Sequence, residues 1–248
     1  MYVVVTGGTG GLGREVVSRL RERQNRVIAA SRRTGVDLRT GEGLRGVMQG
    51  ADIVVHAARH QTQYRKVDLD GTRRMIKILR DRTEPPHLVY VSIVGCDRNP
   101  YPYYRAKYAS ELVLERSGLP VTVVRATQFH TLVATLARIF GRGPVSVQPQ
   151  MSFQSCDHLW LADRLVETAL AEPPSGYRRA PDLAGPERMT LGEAVDLARR
   201  AEGRPPARAI RLPAVGGILQ AFAAGANLPG PDAVIGGPGY REWFRTSD

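Results

Sequence analysis

The stretch VVVTGGTGGLGREV, residues 3–16, decides the fold of this 248-residue chain. A β-branched run leads into three glycines, Gly7, Gly10 and Gly13, and an amphipathic helix pattern follows them. Glycines at this spacing let the backbone approach a pyrophosphate, whose charge is stabilised by the free N–H groups of a helix N-terminus. Because the glycines stand between a strand and a helix, the stretch predicts a dinucleotide-binding loop.

Strand and helix patterns alternate through the first half of the chain. Strands are predicted at 2–6, 26–31, 51–58, 87–95 and 121–126, with a brief strand at 35–38. Helices are predicted at 11–24, 41–50, 67–82 and 103–117. This order implies right-handed crossovers and therefore predicts an α/β fold with a Rossmann-type, doubly wound parallel sheet.

After about Gly141 the pattern loosens. Helices are predicted near 157–170 and 190–202, whereas 216–239 is too rich in glycine and proline to predict a regular element. We therefore predict a dinucleotide-binding core over residues 1–170. A small C-terminal substrate cap, residues 171–248, is expected to pack on this core as part of a single compact unit.

The net charge of +11 raises the question of nucleic acid. Lysine occurs only at Lys66, Lys77 and Lys107, and the arginines are spread along the whole chain rather than clustered. We attribute the charge to arginine-rich composition and expect no nucleic-acid partner. The absence of a long apolar run, of a signal peptide and of metal-type cysteine spacing predicts a cytoplasmic protein. We expect no membrane partner, a small-molecule substrate, and a monomer or homodimer.

The end of the second strand predicts which dinucleotide binds. Ser31, Arg32 and Arg33 stand where NAD-preferring sites carry an acidic residue, and the first carboxylate comes only at Asp37. Guanidinium groups and a hydroxyl suit a 2′-phosphate, although either arginine is also compatible with a solvated loop. We predict NADP(H). The predicted cofactor-binding residues are Thr6, Gly7, Thr9, Gly10, Gly11, Leu12, Gly13, Ser31, Arg32, Arg33, Asp37, Leu38, Ala57, Ala58, Lys107, Ala126 and Thr127.

A second signal is NPYPYYRAKYASE, residues 99–111, in which Tyr103 stands four residues before Lys107. Residues four apart share a helix face, and Pro102 suits a first helical turn. An ammonium about 4 Å from a phenol lowers the phenol pKa from about 10 by roughly three units. The pair therefore predicts acid/base chemistry, and cofactor binding without turnover is the alternative.

Five segments together are similar to the short-chain dehydrogenase/reductase superfamily: TGGTGGLG, ADIVVHAA, YVSIVG, YYRAKYASE and GLPVTVVRATQF. The match is closest to its atypical, NmrA-like branch of NAD(P)-binding proteins. The resemblance implies that Tyr103 transfers the proton at the substrate oxygen, that Lys107 also holds the nicotinamide ribose, and that Ser92 polarises the carbonyl. Ser92 departs from the pattern, because Ile93 follows it where active relatives often carry a second hydroxyl. A strand-end hydroxyl bound to backbone is the alternative for Ser92.

Gln128, Phe129 and His130 follow the strand at 121–126 and are predicted to contact substrate, although Phe129 suits a core position equally well. His56 and His60 lack a third ligand, so no metal is expected. The leading hypothesis is an NADPH-dependent oxidoreductase acting on a carbonyl or activated double bond. The alternatives are a non-catalytic NADP(H)-sensing regulator and an isomerase, cyclase or dehydratase on the same scaffold.

Overall fold

The structure, a computed structural model, describes residues 1–60 and 62–246. The helices are α1 Gly11–Glu22, α2 Leu44–Met48, α3 Asp70–Arg80, α4 Pro102–Glu115, α5 His130–Phe140, α6 His158–Leu170, α7 Leu191–Ala201, α8 Gly217–Ala223 and α9 Tyr240–Thr246. The strands are β1 Tyr2–Thr6, β2 Arg26–Ala30, β3 Ile53–His56, β4 His87–Ile93, β5 Val121–Ala126, β6 Val145–Pro149, β7 Ser152–Phe153, β8 Tyr177–Arg179, β9 Leu183–Ala184, β10 Met189–Thr190, β11 Arg208–Leu212 and β12 Val234–Ile235. A 3-10 turn, Arg32–Thr34, follows β2, and a π-helix, Arg65–Leu69, leads into α3.

The contacts divide the described residues into two units. The first contains Met1–Ser92, Pro102–Arg125 and Leu159–Ala180. The second contains Ile93–Tyr101, Ala126–His158 and the described residues from Pro181 onward. The chain thus passes between the units several times, and the division into residues 1–170 and 171–248 stays a prediction.

The first unit is built on a parallel sheet with the strand order β2-β1-β3-β4-β5, and β8 adds to β5 in parallel. In this register Val4 of β1 lies between Ile28 of β2 and Val54 of β3. The central strands are buried, which explains their continuous β-branched runs. The predicted Rossmann-type, doubly wound fold is confirmed.

Helix α3 shows how the first unit forms its core. Met75, Ile76 and Leu79 are buried on one face of the helix and join Val54 and Leu88 of the sheet in one hydrophobic cluster. The predicted strand at 35–38 is wrong, because Gly35 adopts a φ of +78° and ends the preceding 3-10 turn. Residues 35–38 therefore form an irregular segment with a turn at each end rather than a strand.

The second unit contains three short strand pairs, β6 with β11, β7 with β10 and β9 with β12. Its core packs Val133 of α5 and Leu191 of α7 with Tyr240 and Phe244 of α9. The prediction that 216–239 holds no regular element is wrong, because α8 occupies Gly217–Ala223 and β12 occupies Val234–Ile235. Among the described residues, no helix is long and apolar enough to span a membrane.

Candidate functional site

The glycine-rich loop between β1 and α1 has a geometry that only glycine allows at three positions, Gly7, Gly8 and Gly13. Gly7 adopts a φ of +72°, and a Cβ there would lie 2.7 Å from the Ala58 Cα. A Cβ on Gly13 would lie 2.2 Å from the Gly7 carbonyl oxygen, so a side chain would push the loop away from the helix. The loop is therefore held tightly against the start of α1 and against the segment after β3.

The N-terminus of α1 is open to an anion. Gly10 is the N-cap and has no side chain that could satisfy the first N–H groups, and no acidic residue stands in the first turn. A Cβ on Gly11 would meet no atom within 4 Å. The helix dipole and open N–H groups suit a phosphate, so the predicted loop residues fit a dinucleotide.

A cavity of about 510 Å³ lies beside this loop. Its walls are Gly8, Thr9, Arg14, Val17, Ser18, Arg21, Glu22, Ala29 and Arg33. Three guanidinium groups and one carboxylate thus line the cavity, which makes it basic. Arg14 and Arg21 were not predicted from the sequence; their seven-residue spacing on α1, which places both on one face, was the available signal.

The other residues predicted near the ribose lie in the turn after β2. The Ser31 N–H donates to Thr34 Oγ1 at 2.9 Å, which holds Arg32 and Arg33 on an exposed turn. Asp37 is bound to Arg39, with 2.6 Å between Oδ2 and Nη2, and this hydrogen bond lowers the pKa of Asp37. Leu38 is buried in the core.

Lys107 of α4 is buried in the first unit. Its side chain is 4% exposed, and its Nζ lies 3.0 Å from Oδ1 of Asp68, which is 0% exposed. The ammonium also donates to the Val91 carbonyl oxygen at 3.0 Å. It stands over the Tyr90 ring, 4.8 Å from the ring centroid. Asp68 was not predicted from the sequence, because its partner stands 39 residues later.

Electrostatics keep this lysine charged. Burial opposes the charge, but Tyr90, Asp68 and Tyr103 outweigh burial and raise the pKa of Lys107. Burial also raises the pKa of Tyr90, so that phenol is neutral at neutral pH. Asp68 is therefore the negative group that holds Lys107 as an ammonium under ordinary conditions.

Tyr103 lies on the first turns of α4 and is half-buried. Its ring meets the Tyr64 ring edge-on at 6.1 Å and the Tyr104 ring at 6.5 Å. Because the Tyr103 phenol is one of the groups that raise the pKa of Lys107, the two side chains are electrostatically coupled. The predicted pair therefore exists as neighbouring groups, and its catalytic role stays a prediction.

A buried hydrogen-bond chain connects the glycine loop with Asp68. His56 Nδ1 lies 2.6 Å from Thr6 Oγ1, and His56 Nε2 lies 3.0 Å from Thr72 Oγ1. Thr72 in turn donates to the Asp68 carbonyl oxygen. Burial, followed by the charge of Lys107, lowers the pKa of His56 to about 3, so the ring is neutral. His56 thus links β1 to the segment that carries Asp68.

Ser92 is 2% exposed and lies at a second buried charge pair. Its hydroxyl donates to Glu111 Oε1, and Glu111 is paired with Arg125 of β5 at 2.6 Å. Nε and Nη2 of Arg125 reach both carboxylate oxygens. The carbonyl-polarising role of Ser92 stays a prediction.

The predicted substrate residues lie in the second unit, as do Ala126 and Thr127. Gln128 accepts a hydrogen bond from Asn227 at 3.3 Å, and Phe129 is the N-cap of α5. His130 is buried, with Nδ1 2.8 Å from Ser155 Oγ and Nε2 3.1 Å from the Pro238 carbonyl oxygen. Burial lowers the pKa of His130. These roles are predictions that no contact here tests.

A model of the family described as NAD(P)H-binding matches residues 7–155, more than half of the chain. The chain belongs to this NAD(P)H-binding family. The resemblance to the short-chain dehydrogenase/reductase superfamily is confirmed by the same match, and a nicotinamide cofactor is the ligand class that it supports.

Solved structures share the fold of this NAD(P)H-binding protein. UDP-glucose 4-epimerase of Thermus thermophilus, solved with NAD, is 18% identical, with a TM-score of 0.68 over 98% of this chain and 97% of that one. dTDP-glucose 4,6-dehydratase of Bacillus anthracis, also with NAD, is 14% identical, with a TM-score of 0.69 over 86% and 85%. RMD of Pseudomonas aeruginosa, solved with NADPH, is 14% identical, with a TM-score of 0.61 over 85% of each chain. At such identities the likeness shows the fold alone.

Among curated proteins, uncharacterised proteins of Mycobacterium tuberculosis and Mycobacterium bovis are 27% identical to this NAD(P)H-binding protein over 103 residues. The match takes in 37% of this chain and only 12% of the mycobacterial proteins. The chain therefore corresponds to a small part of these longer relatives.

Proposed function

We propose that the chain is an NADPH-dependent reductase of the short-chain dehydrogenase/reductase type, acting on a carbonyl or activated double bond of a small organic molecule. The observation that carries the proposal is the buried ammonium of Lys107, coupled to the Tyr103 phenol one helical turn away. When bound, the dihydronicotinamide supplies a hydride. Tyr103 supplies the proton at the substrate oxygen, and Lys107 holds the ribose and the position of the phenol.

The choice of NADPH rests on the basic cavity beside the glycine loop. Arg33 and Arg14 stand in its wall, and the end of β2 carries no carboxylate that would repel a 2′-phosphate. Asp37, the first acid after β2, is already paired with Arg39. Charge-assisted hydrogen bonds from guanidinium groups therefore favour the phosphorylated ribose.

Calorimetric titration tests the cofactor. NADPH should bind at least about tenfold more tightly than NADH, because a single charge-assisted contact contributes about 1.5–3 kcal/mol. Arg32→Ala with Arg33→Ala should weaken NADPH binding and leave NADH binding nearly unchanged. Arg45→Ala, at an exposed arginine of α2, is the matched control and should change neither. Equal affinities of the unaltered protein for the two cofactors would remove the preference for NADPH.

A panel of aldehydes, ketones and activated alkenes, followed by the absorbance of NADPH, tests the reaction. The proposal requires NADPH consumption with at least one member of the panel, together with a reduced product. Sugar nucleotides belong in the panel because two of the fold neighbours are named as an epimerase and a dehydratase acting on them. An altered sugar nucleotide without net NADPH consumption would favour an isomerase or dehydratase instead.

The second candidate is an NADP(H)-sensing regulator without turnover. The favouring observation is Ser92, whose hydroxyl donates to Glu111, so the expected carbonyl-polarising donor is already engaged. Tight NADPH binding with no turnover across the whole panel would support the regulator.

A further inference from the structure

The acidity of Tyr103 depends on whether the Lys107 ammonium acts on it alone or together with a nearby negative charge. A lone ammonium about 4 Å from a phenol would make it ionise roughly three pH units earlier. Here Asp68 lies 3.0 Å from the ammonium, and neither side chain is more than 4% exposed. Two opposite charges this close act on a third group as a dipole, whose field is weaker and falls off faster than that of a lone charge.

Two other titratable groups described beside Lys107 add no charge. Tyr90 faces Lys107 from β4 and is neutral because of its burial, and His56 faces it from β3 and is neutral as well. Tyr64 faces Tyr103 from the π-helix side, and Tyr104 faces it from α4. Tyr90 and His56 are therefore neutral at neutral pH, and among the described groups that face Lys107 the carboxylate of Asp68 is the one that offsets its charge.

We propose that Asp68 is a positioning residue that neutralises Lys107 and thereby keeps Tyr103 a neutral phenol, which sets the site for proton donation. The inference rests on the proposed function and adds to it the protonation state of Tyr103. Reduction needs a phenol that gives up a proton, whereas oxidation of an alcohol needs a phenolate that takes one. The Asp68–Lys107 pair therefore keeps Tyr103 in the protonation state that reduction needs at neutral pH.

When bound, NADPH would be the reductant: it would supply a hydride to the carbonyl carbon and be oxidised to NADP⁺. The π electrons of the carbonyl move to its oxygen, which takes the proton of the Tyr103 hydroxyl. The Tyr103 oxygen then takes a proton from water, so the phenol is restored and one proton is consumed overall.

The test is the ionisation of Tyr103 itself, followed by NMR on protein whose tyrosines carry ¹³C at Cζ. The Tyr103 signal is assigned in each protein by its loss in the Tyr103→Phe counterpart. In Asp68→Asn the ammonium is uncompensated, so Tyr103 should ionise about one to three pH units lower than in the unaltered protein. A residue that only supports the fold would not move this ionisation. An unchanged ionisation in folded Asp68→Asn would overturn the proposal.

A second variant decides the matter if Asp68→Asn does not fold. The double variant Asp68→Asn with Lys107→Met removes both buried charges together, which proteins tolerate better than the loss of one partner. Tyr103 should then ionise within about half a pH unit of the unaltered protein, because a neutral pair is replaced by no charge. An ionisation more than about one unit higher would show that Lys107 acidifies the phenol despite Asp68, and would overturn the proposal.

These measurements need neither substrate nor turnover, so they separate this inference from the proposed function. If the protein shows the predicted ionisations but reduces no compound of the panel, the proposed role of Asp68 is supported and the proposed reductase activity is rejected. If the protein reduces carbonyls but the ionisation of Tyr103 is unchanged in folded Asp68→Asn, the reductase activity is supported and the proposed role of Asp68 is rejected.

Discussion

Helix α4 carries two buried ion pairs one turn apart, and they differ in how completely their charges are satisfied. Glu111 receives two nitrogens of Arg125 and the Ser92 hydroxyl, so both carboxylate oxygens are bound. Lys107 lies against one oxygen of Asp68 and donates to the Val91 carbonyl oxygen, and among the described residues the other Asp68 oxygen accepts a long 3.4 Å bond from the His60 N–H. The planar guanidinium fixes its partner, whereas the ammonium is a point charge that can also serve a ligand.

This difference is why we propose a structural role for one pair and a role in the reaction for the other. A buried charge needs a partner in either case, because an unpaired ion in the interior is costly. The Glu111–Arg125 pair joins α4 to β5, and both oxygens of its carboxylate are bound. The Lys107–Asp68 pair lies next to Tyr103, and its net charge responds to any change in one partner.

The largest expected effect comes from breaking the saturated pair. Arg125→Met leaves Glu111 buried without its counter-ion, and the free energy of unfolding should fall by about 3–5 kcal/mol. Urea denaturation measures this loss. The matched control combines Arg125→Met with Glu111→Gln and should lose clearly less. Equal losses in the single and double variants would show that the pair itself contributes little.

A smaller effect, about 2 kcal/mol in the free energy of unfolding, is expected when the pH is lowered, and it comes from His56, which faces Lys107. The pKa of His56 is lowered to about 3, below that of the unfolded chain. The unfolded state therefore binds the proton first, and stability is lost as the pH falls below about 6.5. Between pH 7.5 and 5, His56 alone should remove about 2 kcal/mol from the free energy of unfolding. Urea denaturation at both pH values should show that His56→Asn loses about 2 kcal/mol less of its free energy of unfolding than the unaltered protein does. Equal losses in the two proteins would contradict the lowered pKa of His56.

The next effect concerns cofactor binding and separates the two pairs directly. Lys107→Met removes the ammonium expected to reach the ribose, so NADPH binding should weaken by about 1.5 kcal/mol. Arg125→Met should leave the affinity of the folded protein unchanged. Calorimetry on folded samples of both variants makes the comparison. An equal weakening in both would mean that the two pairs do not differ in function.

The smallest effect is expected for Ser92→Ala. If its hydroxyl only completes the Glu111 pair, the loss should be about 1 kcal/mol in stability, with turnover within about tenfold of the unaltered protein. Urea denaturation and the NADPH assay measure the two quantities. A fall in turnover of about 10² or more at unchanged stability would return Ser92 to the role of polarising the carbonyl.

The fold was predictable from local pattern. Gly7 and Gly13 between a strand and a helix specify the loop, and strand–helix alternation specifies the parallel sheet. The irregular segment at residues 35–38 was not predictable from its apolar residues, because a short apolar run fits either a strand or a buried turn. Helix α8 was missed for a related reason: flanking glycines obscure a seven-residue helix.

The candidate site was predictable only where its residues are close in sequence. Tyr103 and Lys107 share one helix turn, so their spacing is enough to predict them as a pair. Asp68 is brought to Lys107 by packing between separate elements, and no local signal marks it as a partner. The bond from Ser92 to Glu111 crosses 19 residues, so the sequence could not show how that hydroxyl is engaged.

The most direct test of the account compares Tyr103→Phe with Tyr108→Phe, an exposed tyrosine on the same helix. Each change removes one phenol oxygen and leaves the ring, and NADPH turnover is measured with the best carbonyl of the panel. Tyr103→Phe should lower turnover by about 10² to 10⁴ while NADPH affinity stays within about twofold. Tyr108→Phe should retain full turnover. Unchanged turnover in Tyr103→Phe would contradict the account, since Tyr103 would then only pack.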